Sequence, residues 1–193
     1  ETMTDDDVIR MISEVSYLRK QLKSQSDVIA RLKQEAYHDP LTGLPNRRYF
    51  ERELDKSMSY FKRYKRMGAL LLIDADSFKS INDSLGHLAG DAILKHISKL
   101  LQQHTRSADT VARIGGDEFC IILRETSSEE AFEKAKKLSD IISKTPCTYE
   151  GRDIHISVSI GGCSFSEAQD RTDLMNKADS AMYISKNNAT AVA

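Results

Sequence analysis

The stretch RIGGDEFCIIL (113–123) places two glycines and two carboxylates between an arginine and a run of strand-forming apolar residues. A turn between strands needs at most one glycine and no adjacent acids. A second pair of acids, Asp74 and Asp76, closes the apolar run GALLLIDAD (68–76). If the two runs are neighbouring strands of one sheet, Asp74 and Asp117 meet at the same edge. Carboxylates that close repel unless a cation neutralises them or a proton is taken up. With oxygen donors only and no His or Cys beside them, the fitting cation is Mg²⁺, with Mn²⁺ as the alternative, rather than zinc. Gly115 and Gly116 lack a Cβ, so a bulky anion can approach their backbone closely. These features describe a metal–phosphate site. The plain alternative is a β-turn rich in Gly and Asp.

A second cluster follows Asp74: Phe78, Lys79, Asn82, Asp83, Gly86, His87, Gly90 and Asp91. Lys79 can meet a phosphate as a point charge. Asn82 and Asp91 offer an amide and a carboxylate to the edge of a base. Asp91 suits the N1–H and exocyclic amine of guanine, a pair that adenine does not present. The structural alternative makes Asp91 a helix N-cap and Asn82 a turn residue.

The elements that must position these groups are legible from periodicity. Residues 4 to 36 contain no Gly or Pro and read as one helix, with Thr4 as N-cap and Asp5, Asp6 and Asp7 at the positive end of its dipole. Its seam places Val8, Val15, Leu22, Ile29 and Ala36 at a, and Met11, Leu18, Gln25 and Leu32 at d. Mostly β-branched a with Leu-rich d favours a parallel two-stranded coiled coil, so a homodimer is expected. The character changes at Tyr37, and HDPLTGLPNRR reads as an ordered turn and domain boundary. The expected domains are therefore 1–36, a dimeric stalk, and 37–193, a catalytic domain.

Helices are expected over 46–66, 91–104, 127–144 and 171–187, and strands over 68–76, 110–114, 119–123 and 154–162, with a hairpin near 149–152. The continuous apolar run 68–76 predicts a strand buried on both faces. The fold class is α+β: a mainly antiparallel central sheet flanked by helices, of ferredoxin-like or polymerase-palm type.

Composition bounds the rest. The 193 residues carry 28 Lys and Arg against 29 Asp and Glu, a net charge of -1, which gives no basic surface for nucleic acid. Three widely spaced cysteines fit packing residues in a reducing, cytoplasmic setting. No apolar run is long enough to cross a bilayer. The chain opens on Glu1 with no signal peptide, which suggests a piece of a longer protein with a sensory or membrane-anchored part upstream.

Four stretches, DPLTGLPNRR (39–48), DADSFKSINDSLGHLAGD (74–91), RIGGDEF (113–119) and ADSAMYISK (178–186), resemble the signatures of GGDEF-family diguanylate cyclases, in the same order. The resemblance covers roughly 37 to 187 and implies a nucleotidyl-cyclase-like fold that joins two GTP into cyclic di-GMP with release of two pyrophosphates. It implies that Asp74, Asp117 and Glu118 bind the metal ions with the Ala75 carbonyl, and that Asp117 and Glu118 are catalytic. Asp117 is then also the proton acceptor for the ribose 3′-hydroxyl, although a metal-bound carboxylate is a poor base and water is an alternative acceptor. Phe78, Asn82, His87, Asp91, Gly115 and Gly116 match positions around the substrate, with Asn82 and Asp91 reading guanine. Lys79 and Lys186 match phosphate-binding lysines.

Each domain holds one GTP, so two must face each other across a two-fold axis, and a coiled coil would hold them at high effective concentration. Arg106-Ser107-Ala108-Asp109, separated from Gly115 by five residues, matches the family's RxxD site for inhibition by cyclic di-GMP, with Arg113 as helper. One departure stands out. After Lys186 the family continues Gly-Arg-Asn, whereas this chain reads Asn187-Asn188-Ala189-Thr190. Thr190 replaces a phosphate-contacting arginine, a loss of about 1.5–3 kcal/mol for one charge-assisted bond. The alternative function is therefore an impaired module that senses GTP or cyclic di-GMP.

Overall fold

The computed structural model describes the backbone of residues 5–190 and side chains at 6 and from 9 to 187. The expected cap at Thr4 and the side chains of Asp5, Asp7, Val8, Ala189 and Thr190 lie outside the described residues. Contacts divide the chain into two units, Glu1–Tyr37 and His38–Ala193.

The first unit is helix α1 (Asp5–Tyr37), 33 residues without a break. Its described apolar seam residues are exposed, from Val15 at 45% to Leu22 at 63%. A single helix with an unburied apolar stripe gains little from its own fold, because helices in proteins are stabilised chiefly by packing that stripe.

In the second unit, α2 (Arg47–Tyr64) starts at Asn46, whose side-chain oxygen accepts from Tyr49 N at 3.1 Å, and ends at Lys65 in the left-handed region with φ 54°. There follow β1 (Gly68–Ala75), α3 (Phe78–Leu85), α4 (His87–Gln103), β2 (Thr110–Arg113) and β3 (Glu118–Arg124). Then come α5 (Ser128–Lys144), the hairpin β4 (Cys147–Tyr149) with β5 (Arg152–Ile154), β6 (Val158–Ser164) and α6 (Arg171–Thr190). The four-stranded sheet runs β2-β3-β1-β6, every neighbour antiparallel. Two crossovers each skip one strand: β1 and β2 flank β3, and β3 and β6 flank β1. That is the ferredoxin-like split arrangement expected from the sequence.

Because β1 is central, its alternation feeds two cores. Ala69, Leu71, Ile73 and Ala75 pack with Ile93, Ile97 and Leu101 of α4 and with Leu138 and Ile142 of α5. Leu70 and Leu72 pack with Phe50 and Leu54 of α2, Cys120 and Ile122 of β3, and Leu174 and Ala178 of α6. Strand periodicity then puts Asp74 on the α2/α6 side. The three cysteines are buried and unpaired. Burial pushes their thiols up, Cys163 to about 11 with the Glu167 charge adding to it, so they are packing groups, not nucleophiles.

Two boundaries differ from the sequence expectation. Residues 154–162 are not one strand. Ile154 closes the β4–β5 hairpin and β6 begins at Val158, because Ser157 turns its carbonyl to Asp76 N at 3.0 Å. The helix expected from Asp91 begins at His87, after Gly86 (φ 85°) ends α3. Asp91 is therefore inside α4 and does not cap it.

Helix α6 lies unusually close to β6. A Cβ on Gly161 would overlap the backbone of Ala178 and Met182. Gly161→Val should therefore lower stability by about 1–3 kcal/mol through overpacking. Urea unfolding with an unchanged slope and an unchanged midpoint would contradict that close approach.

Candidate active site

The site is built where β1 ends. Asp74 stands opposite Glu118 of β3 and, on its other side, Ser159 of β6. The pairing extends one step further, with Ala75 N donating to the Asp117 carbonyl at 3.1 Å. Acids from the two sequence motifs thus share one rim because the strand register aligns them. Asp76, the remaining acid, is already satisfied: its carboxylate accepts from Ser157 Oγ at 2.6 Å and from Ser159 Oγ at 2.7 Å.

Asp74 is mostly buried, its side chain 15% exposed, and its Oδ1 lies 2.5 Å from Lys186 Nζ. Helical spacing explains the pairing. Ala178, Met182 and Lys186 are four residues apart on one face of α6, and the first two sit on Gly161. The hydrogen bond that Lys186 donates to Asp74 raises the lysine's pKa, with the charges of Asp74, Asp76 and Asp117 adding and burial opposing. Glu118 folds against Gly115, where any side chain would collide with its carboxylate, and its Oε2 is 4.0 Å from Arg47. Gly116 is open, with nothing within 4 Å of a notional Cβ.

The turn carrying Gly115, Gly116 and Asp117 is braced from outside. Ile114 N and Gly115 N both donate to the Glu118 carbonyl, at 2.9 and 3.3 Å. Arg113 donates from Nε and NH2 to the Gly116 carbonyl at 3.1 and 2.6 Å, and from NH1 to Asp39 at 3.0 Å. Asp39 also accepts from Thr42 N at 2.8 Å and Thr42 Oγ1 at 2.6 Å, while Arg47 Nε donates to the Ile114 carbonyl at 2.9 Å. So DPLTG and NRR clamp the GGDE turn.

On the neighbouring helices, Asn82 has a buried Oδ1 without a hydrogen-bond partner, packed against Gly90 and near Phe78. A buried acceptor left unsatisfied needs an explanation, and an absent ligand is one. Asp91 is half-buried in the following helix, and Lys79 and His87 are exposed. As the side chains lie, no three His, Cys, Asp or Glu among the described residues are gathered tightly enough to hold a metal. The donor chemistry still fits a hard divalent ion. Asp74 and Glu118 face each other across the register with oxygen donors only, and an ammonium already stands against Asp74.

Arg106 and Asp109 sit elsewhere, before β2. Asp109 Oδ1 accepts from Arg124 N at 3.0 Å, and both residues line a cleft of about 560 Å³ with Ser57, Tyr60 and Arg66. Arg113 is at the opposite end of β2 and does not line that cleft; its guanidinium is engaged by Asp39 and Gly116. A larger groove of about 700 Å³ between α5 and α6 along β6 contains none of the sequence-derived site residues.

Against known families, residues 36–191 match the model described as "Diguanylate cyclase, GGDEF domain". The chain belongs to the GGDEF family. Among curated relatives of this GGDEF domain, "Diguanylate cyclase TpbB" of Pseudomonas aeruginosa is 34% identical over 186 residues, covering 95% of this chain and 42% of the relative. The chain thus spans less than half of that protein. Among solved structures, the coiled coil and GGDEF domain of DgcB from Caulobacter crescentus, in complex with c-di-GMP, is similar with a TM-score of 0.85, covering 92% of this chain and 95% of that one. At 22% identity that likeness speaks for the fold alone. The DgcB GGDEF domain by itself, also with c-di-GMP, has 27% identity and a TM-score of 0.76, covering 80% of this chain and 89% of that one.

Sequence reasoning missed Ser157 and Ser159, which hold Asp76, and Arg113 as a partner of Asp39. Nothing local signals either contact.

Burial pushes the Asp39 carboxyl up, but hydrogen bonds from Thr42 and Arg113, with the Arg113 charge, outweigh it and hold the pKa below the ordinary value. A depressed folded value contributes stability above the unfolded pKa of about 3.9 and loses it as pH falls through the folded value. Wild type should therefore exceed Asp39→Asn in urea midpoint at pH 6, with the gap closing below about pH 4. A gap independent of pH would contradict the ion pair.

Proposed function

We propose that this GGDEF domain is a diguanylate cyclase that condenses two GTP into cyclic di-GMP and two pyrophosphates. The carrying observation is the register of β1 against β3, which brings Asp74 of one motif opposite Glu118 of the other. The name of the Pseudomonas aeruginosa relative supports the same activity.

In this reading Asp74, Asp117, Glu118 and the Ala75 carbonyl hold Mg²⁺ or Mn²⁺. Such an ion would supply charge stabilisation for the phosphate oxygens, and the 3′-oxygen of one GTP attacks the α-phosphorus of the other as pyrophosphate leaves. Asn82, whose Oδ1 lacks a partner, takes guanine donors together with Asp91. Phe78 and His87 border the nucleotide, and Lys79 and Lys186 meet its phosphates. Gly115 and Gly116 let the triphosphate approach the backbone. Among the described residues the Asp117 side chain makes no hydrogen bond or ion pair, which suits it to accept the 3′-hydroxyl proton.

One domain supplies one nucleotide, so turnover needs a homodimer. The exposed seam of α1 supports pairing through a parallel coiled coil. Arg106 and Asp109, on their cleft, are the proposed feedback site for cyclic di-GMP. An upstream sensory part of a longer protein and a cytoplasmic setting complete the reading. No helix among the described residues is long and apolar enough to cross a membrane. Thr190, in place of an expected arginine, favours a second reading: a module that binds GTP or cyclic di-GMP without turnover.

Incubation with GTP and Mg²⁺ should yield cyclic di-GMP. Bound nucleotide without product would support the sensor instead. Asp117→Asn should reduce turnover by roughly 100-fold or more, the loss of several kcal/mol of charge stabilisation, with circular dichroism unchanged. Near-normal product from that variant would overturn the metal assignment. Arg106→Ala should relieve inhibition by added cyclic di-GMP, and unaltered inhibition would remove the feedback site. Leu18→Asp with Leu32→Asp should lower specific activity most at dilution; equal activity at every concentration counts against the coiled coil.

A further inference from the structure

We propose that Lys186 is a placeholder cation: without nucleotide its ammonium holds the Asp74 oxygen that a divalent ion would take, and it releases that oxygen only when triphosphate and metal arrive together. The proposal rests on the reading of Asp74 as a metal-bearing carboxylate.

The contact is built into the fold. Lys186 Nζ lies 2.5 Å from Asp74 Oδ1, and the carboxylate is mostly buried, with 15% of its side chain exposed. The lysine reaches that depth because Gly161 has no side chain. Ala178 and Met182 settle on the strand there, and the next residue on the same helical face is Lys186. Helix α6 has no room to slide inward, so the lysine's position follows from backbone packing. Its surroundings are acidic: Asp74, Asp76 and Asp117 all act on Lys186 electrostatically. Asp76 is already occupied by two serine hydroxyls, which leaves Asp74 as the acid that the ammonium neutralises.

A metal ion arriving alone faces two costs. It must detach the ammonium from a carboxylate that water reaches poorly, and it then shares the rim with a like charge. A triphosphate changes the balance by offering Lys186 new oxygens within reach of a flexible four-carbon stem. Metal and nucleotide therefore bind cooperatively, and the coupling is reciprocal: each tightens the other by the same factor. The ammonium also keeps the acids of the rim from repelling one another in the ligand-free domain. Lys186 is thus a positioning residue whose work begins before any phosphate is present.

The test uses the whole 193-residue chain and the electron paramagnetic resonance signal of free Mn²⁺, with and without a non-hydrolysable GTP analogue. Wild type should bind Mn²⁺ weakly alone and more tightly with the analogue. In Lys186→Gln, affinity for Mn²⁺ alone should rise about tenfold and the tightening by the analogue should shrink by a similar factor. Lys186→Arg, which keeps the charge, should stay near wild type. Lys186 is partly exposed, so neither variant disturbs a core. Affinity for Mn²⁺ alone that stays within about twofold of wild type in Lys186→Gln overturns the placeholder while leaving the metal reading intact. Mn²⁺ binding that Asp74→Asn does not weaken, with or without the analogue, overturns the metal reading and the placeholder together.

Discussion

Four acids, Asp74, Asp76, Asp117 and Glu118, lie in the chain where β1 ends and β3 begins, and the contacts around them neutralise much of that charge. Asp76 is taken up by two serine hydroxyls, Asp74 by an ammonium, and Glu118 is tucked against a glycine within 4.0 Å of Arg47. The partners come from β6 and the residue before it, from α6 and from α2. A rim that is merely acidic would push its strands apart. This one is held by opposite charge and by dipoles.

Packing on the α2/α6 side makes this neutralisation possible. The even-numbered residues of β1 feed the core that α2 and α6 cover, so the same alternation that buries Leu70 and Leu72 delivers Asp74 to Lys186. Gly161 lets α6 approach, and Gly115 leaves room for Glu118. Both glycines matter through the volume that a side chain would take, and neither has a positive φ. The turn between β2 and β3 is fixed separately by Arg113, which joins the Gly116 carbonyl to Asp39 across 74 residues of chain. The DPLTG segment in this way braces the turn that carries Asp117.

Charge is handled differently at the RxxD pair. Asp109 accepts a backbone N–H from the end of β3, and Arg106 stands at the mouth of a cleft formed with α2. Strand β2 joins this cleft to the Arg113 clamp in four residues, so the proposed feedback site and the proposed catalytic turn share one short rigid element.

The family and the element types were legible in the sequence, and so were the acids that the register brings to one rim, because spaced motifs and hydrophobic periodicity are local properties of the chain. The run GALLLI announces a central strand, and the order of DPLTGLPNRR, DADSF, RIGGDEF and ADSAMYISK leaves little freedom in what the domain is. What periodicity does not carry is register and reach. That Asp74 faces Glu118, that Asp76 is consumed by Ser157 and Ser159, that Arg113 serves Asp39, and that Lys186 rests on Asp74 were decided by tertiary structure. The boundaries at Val158 and His87 moved for the same reason, since a backbone bond to Asp76 and a left-turning glycine outweigh local propensity. Partners 44 to 112 residues apart meet only after two cores have chosen how strands slide past one another, and a shift of one residue would turn every acid to the other face.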